Sequence, residues 1–120
     1  MSHSVLVCDD AVFMRAMIKQ VLSDAGYDIA GEAENGEDAI TKFRELKPDL
    51  VTMDIVMPDL DGISAVGKIV AESPDARVIV CSAMGQEALL EKAVAAGAKG
   101  YIVKPFSPPQ LLEAVERALG

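Results

Sequence analysis

Val5-Leu6-Val7-Cys8-Asp9-Asp10 sets the pattern for the chain: four apolar residues in a row, cut off by two carboxylates. Such a run reads as a short strand buried on both faces, and the acids mark where it leaves the interior. The strand is placed at Val5–Asp9, and similar runs recur at Leu50–Asp54, Arg77–Ser82 and Lys99–Lys104, with a weaker one at Tyr27–Ala33. Between them the spacing is helical. Ala11–Ala25 carries Val12, Met14, Ile18, Val21 and Leu22 near a helical period and stops at Gly26. A second helix is expected from Glu37 to Leu46, with Asn35 as its cap and Lys47-Pro48 as its end. A third follows the Pro58-to-Gly62 turn and runs to Glu72, weakened by Gly67, where a packing accommodation is the simplest reading. A fourth covers Gln86–Ala96 and is closed by Gly97. Ser107, Pro108 and Gln110 then form a capping-box start for the last.

Alternating β-α units of this kind build an α/β domain, a parallel sheet covered by helices on both faces. Right-handed crossovers leave few windings. The flavodoxin-like (βα)5 order 2-1-3-4-5 is adopted here by analogy with known doubly wound folds, because no residue pattern dictates it.

The chain has 120 residues, the size of one domain, and is read as a single domain over residues 1–120 with no output domain. Hydrophobic residues make up 51%, enough for a real core. Nineteen acids against eleven Lys plus Arg give a formal net charge of −8. That balance argues against nucleic-acid and anionic-membrane binding, which need basic surfaces. Aromatics at 4% and the absence of Trp argue against a base-stacking platform. No cationic leader precedes the first apolar run, and no run approaches the roughly 20 residues of a membrane-spanning helix. Cys8 and Cys81 sit inside apolar runs and match no zinc motif, so both read as buried hydrophobes in a reducing cytoplasm. Phe13, Met14, Met17 and Ile18 read chiefly as a core stripe, and Arg15 with Lys19 as a solvated face.

In an open parallel sheet, ligands bind beyond the carboxyl ends of the strands. Those ends carry Asp9 and Asp10, Asp54, Ser82 and Lys104. Neighbouring strands lie roughly 4.8 Å apart, so the carboxylates converge. Either one of them holds a proton or cations move in. Lys104 supplies one positive charge, and Mg2+, a hard ion that accepts carboxylates and retains sites for phosphate oxygen, is the natural second. Helix capping explains any one of these acids but not all five residues on one edge.

Four motifs, VLVCDD, VTMDIVMPDLDG, VIVCSAMGQ and AGAKGYIVKPF, occur in the order and spacing of a known family. From Ser4 to Leu119 the chain resembles the receiver domain of two-component response regulators, most closely its single-domain chemotaxis members. The resemblance implies that Asp54 accepts a phosphoryl group from a sensor histidine kinase. It implies that Asp10, Asp54 and the backbone carbonyl of Val56 bind Mg2+ directly and Asp9 through a water. Lys104 and Ser82 would hold phosphoryl oxygens, Tyr101 would be the switch aromatic, and Lys104-Pro105 would be cis. It implies a cytoplasmic monomer that signals to a flagellar motor switch protein, or another target, through the fourth helix, fifth strand and fifth helix.

Val56, two residues after Asp54, and Met84, two after Ser82, stand where many receivers carry polar side chains near the hydrolytic water. Neither can orient water, so slow self-dephosphorylation and an auxiliary phosphatase are expected. Ser82 replaces the commoner Thr and keeps the hydroxyl. A phosphorelay intermediate or a non-flagellar single-domain regulator fits the same motifs. A small Mg2+-dependent phosphohydrolase is the alternative from a different class, distinguished by turnover. Asp59-Leu60-Asp61-Gly62 matches part of a phosphatase motif, but Met57-Pro58 separates it from the strand, and a turn before a helix explains it. Gly26 and Gly31 have P-loop spacing, yet Glu32-Ala33 stand where Lys-Ser/Thr are required.

Overall fold

A computed structural model describes residues 3–120, and its strands and helices alternate from end to end. The elements are β1 (Ser4–Cys8), α1 (Val12–Asp24), β2 (Asp28–Ala33), α2 (Gly36–Leu46), β3 (Leu50–Asp54), α3 (Gly62–Glu72), β4 (Val78–Ala83), α4 (Glu87–Ala96), β5 (Gly100–Lys104) and α5 (Pro108–Leu119). The strands form one parallel sheet in the order β2-β1-β3-β4-β5, the order adopted from the sequence. The order reverses between β1 and β3, and in folds of this kind ligands bind beyond the carboxyl ends at that point.

Side chains alternate across the pleat, and both faces are buried. Leu6, Val51, Met53, Val78 and Val80 point to one face, packed by Ala39 and Ile40 of α2, Ala65, Val66 and Ile69 of α3, and Ala93 of α4. Val5, Val7, Leu50, Ile79 and Cys81 point to the other, against Ile18 and Leu22 of α1 and Leu111 and Val115 of α5. The two-sided burial accounts for the near-continuous apolar runs of β1, β3 and β4. β2 lies at the edge, where its pairing with β1 shifts register between Val5 and Leu6, and its sequence signal is correspondingly weaker.

Helix ends follow local chemistry. Asn35 accepts the Asp38 N–H at 2.8 Å, Asp61 accepts that of Ser64 at 2.9 Å, and Ser107 with Gln110 forms the expected capping box. Gly97, at φ 119°, closes α4. Among the described residues no helix is long and apolar enough to cross a membrane.

Three sequence expectations change. Val12 and Phe13 are 70% and 72% exposed, since α1 begins at the sheet edge before its apolar stripe reaches the core. Arg15 is not on a solvated face: its side chain is only 12% exposed and is paired with Glu32 of β2, which also takes Lys19. Gly67 answers to no packing constraint, because a β-carbon there would meet nothing within 4 Å.

Candidate functional site

β1 ends at Cys8, and the next residue turns out of the sheet with its N–H donated to the Ala33 carbonyl at 3.0 Å. That residue is Asp9, whose Oδ1 accepts the Ala11 N–H at 2.9 Å and whose side chain is almost wholly buried. Asp10 follows on the exposed side of the turn. Asp54 closes β3, 9% exposed. One carboxylate oxygen from each of Asp9, Asp10 and Asp54 lies within 4.8 Å of the others. Lys104, the last residue of β5, reaches back across the sheet edge. Its Nζ donates to Asp9 Oδ2 at 2.9 Å and lies 3.4 Å from Asp54 Oδ1. The Lys104-Pro105 bond is cis, as expected.

The site is short of positive charge. Burial pushes the Asp54 carboxyl up to about 6, the charge of Asp9 adds to the rise, and Lys104 only partly offsets it. Burial works against the Lys104 ammonium, yet its hydrogen bond to Asp9 and the charges of Asp54 and Asp9 leave its pKa raised. One ammonium thus pairs with two of the three carboxylates, Asp9 and Asp54. A hard divalent cation with oxygen ligands fits this donor set, because it relieves the repulsion and needs no softer ligand. The two thiols lie elsewhere in character: burial pushes Cys81 up to about 12 and raises Cys8 further, so both stay protonated.

Around the mouth stand Val56 and Met84, 57% and 75% exposed, each two residues beyond an edge residue. Ser82 is fully buried, and among the described residues its hydroxyl has no hydrogen-bond partner. Tyr101 is turned outward, 54% exposed, beside Glu87, Leu90, Glu91 and Val94. Ser82 and Tyr101 lie on adjacent strands, and among the described residues neither side chain forms a hydrogen bond to the carboxylates.

Arg15 is the participant that the sequence reading missed. Its Nη1 donates to the Asp9 carbonyl at 2.6 Å while Nε binds Glu32 Oε1 at 3.0 Å. Lys19 reaches Glu32 Oε2 at 2.8 Å, and that hydrogen bond, with help from Arg15, holds the Glu32 carboxyl below the usual carboxylate range. The main chain behind the acid pair is thereby anchored to β2. The i,i+4 spacing of Arg15 and Lys19 shows that they can share an acid, but which acid depends on β2 lying beside β1.

Residues 5–116 match the family described as the response regulator receiver domain. A chemotaxis protein CheY from Thermotoga maritima is 53% identical over 117 residues, covering 98% of each chain. A protein named CcdB from Bacillus subtilis is 51% identical over 116 residues, covering 97% of each. Among solved structures, the CheX-CheY-BeF3-Mg2+ complex from Borrelia burgdorferi aligns with a TM-score of 0.94 and 36% identity, covering 98% of this chain and 90% of that one. With the doubly wound fold, the acid triad at its sheet edge and a family match over nearly the whole length, the chain belongs to the response regulator receiver domains and is closely related to CheY.

Proposed function

We propose that the chain is a stand-alone response regulator that accepts a phosphoryl group on Asp54 from the phosphohistidine of a sensor kinase, with Mg2+ required. The observation that carries this reading is the buried Asp54 carboxylate, closed in by Asp9, Asp10 and the Lys104 ammonium. With its pKa at about 6, Asp54 is largely ionised at neutral pH and serves as the attacking oxygen. An Asp54 oxygen forms the new bond to phosphorus as the bond to the histidine nitrogen breaks. Asp10, Asp54 and the Val56 carbonyl would hold Mg2+, with Asp9 acting through a water. When bound, the ion supplies neutralisation of phosphoryl charge. Lys104 takes one phosphoryl oxygen. The unpartnered Ser82 hydroxyl takes another, and Tyr101 moves inward behind it.

The modified domain then binds its target through α4, β5 and α5 in the cytoplasm, and the similarity to CheY favours a flagellar motor switch protein. Apolar Val56 and Met84 give no purchase on a hydrolytic water, so an auxiliary phosphatase removes the group. The Borrelia burgdorferi complex, in which CheY is joined to a second protein, CheX, supports binding of a protein partner by such a domain. Without such a partner the phosphorylated form persists for minutes in Mg2+, and decay within seconds would contradict the reading. The comparably similar CcdB bears no chemotaxis name, which favours a non-flagellar output as the second reading.

Incubation with acetyl phosphate and Mg2+ separates receiver from enzyme. A receiver accumulates one phosphoryl group per chain with little free phosphate. Rapid release of many equivalents of phosphate within minutes would instead make the protein a phosphohydrolase.

A further inference from the structure

The segment between Asp54 and α3 includes Asp59 in a left-handed conformation, φ 66°, and closes on itself where the Gly62 N–H donates to the Ile55 carbonyl at 2.8 Å. Met57 and Leu60 pack on the core, and one main-chain hydrogen bond ties the loop to another element. The Gly36 N–H donates to the Leu60 carbonyl at 2.9 Å. Among the described residues no other hydrogen bond joins residues 56–60 to another element. Gly36 is the first residue of α2, where an N–H has no partner inside the helix, and the Asn35 cap is already engaged with Asp38. The donor is therefore free to reach across to the loop.

Close approach is what requires glycine. Gly36 is buried, and a β-carbon there would lie 2.8 Å from Leu60 Cβ and overlap the Leu60 carbonyl oxygen. We infer that Gly36 is a positioning residue for the metal-binding loop: its N–H fixes the Leu60 carbonyl, and with it the turn that presents Asp54 and the Val56 carbonyl. The role rests on the assignment of those two groups to Mg2+ under the proposed function. It places part of the site's precision in α2, which contributes no ligand.

Gly36 is the first residue of α2, and its N–H takes no part in the hydrogen bonds inside the helix. A Gly36→Ala variant should therefore keep its helical spectrum and cooperative unfolding while the loop is displaced. Calorimetric titration with MgCl2 is expected to show affinity roughly tenfold weaker than in the unsubstituted protein, the scale typical of residues that orient metal ligands. A variant with an altered unfolding midpoint and unchanged Mg2+ affinity would make Gly36 merely structural and overturn the inference. Amide exchange of the unsubstituted protein gives a second test free of folding effects. Mg2+ should slow exchange of the Gly36 N–H, since coupling between the sites is reciprocal, and no change on saturation would overturn the inference. Absence of Mg2+ binding by the unsubstituted protein, or undiminished binding in Asp54→Asn, would instead overturn the metal assignment and this role with it.

Discussion

At the scale of single residues, Asp54 stores an electrostatic cost. Its carboxyl titrates at about 6 in the fold against 3.8 ordinarily, because burial and then Asp9 disfavour its charge. Below about pH 4 both folded and unfolded chains hold the proton and the group contributes nothing. As pH rises to 6 the unfolded chain gives up its proton more readily, and the fold loses stability. Asp54→Asn removes this penalty and leaves Lys104 paired with Asp9. Without metal, the variant should be more stable at neutral pH by about 3 kcal/mol, with the gain vanishing toward pH 4. Urea unfolding at several pH values checks this, and a gain independent of pH would contradict it. Arg15 is the opposite case, a nearly buried cation bonded to the Asp9 carbonyl and to Glu32. Arg15→Ala should cost about 1–3 kcal/mol, measured in the same way. A change under a few tenths of a kcal/mol would return Arg15 to the solvated face.

At the scale of elements, most boundaries were legible because local chemistry sets them. Asn35, Gly97 and the Ser107–Gln110 box each act where the sequence places them. α1 has no side-chain cap, so no local signal separates its start at Val12 from the Ala11 expected by pattern. α2 starts at Gly36 rather than Glu37, directly after its Asn35 cap, and the Gly36 N–H is directed to Leu60. Gly67 shows the limit of a reading by local pattern. It looked like a packing site, yet the space beside it in α3 is open. Gly67→Ala should therefore stabilise the protein by about 0.5–1 kcal/mol, read as a rise in unfolding midpoint. A fall would show that the space is needed for something not apparent in this conformation.

At the scale of the whole molecule, the sheet order could not be derived from residue pattern and entered through analogy with known folds. The carboxylate cluster was legible nonetheless, because any parallel winding puts Asp9, Asp10, Asp54, Ser82 and Lys104 on one edge. The Arg15–Glu32 anchor and the Gly36–Leu60 contact were not. Both join segments whose proximity depends on β2 and α2 lying beside the site, which only the assembled sheet decides. The net charge of −8 is likewise partly a property of the site, where three acids face a single ammonium. The most direct test of a phosphoryl acceptor at this edge is intact-mass spectrometry after incubation with acetyl phosphate and Mg2+. The account predicts a single phosphoryl adduct that disappears in Asp54→Asn; undiminished labelling of that variant would contradict it.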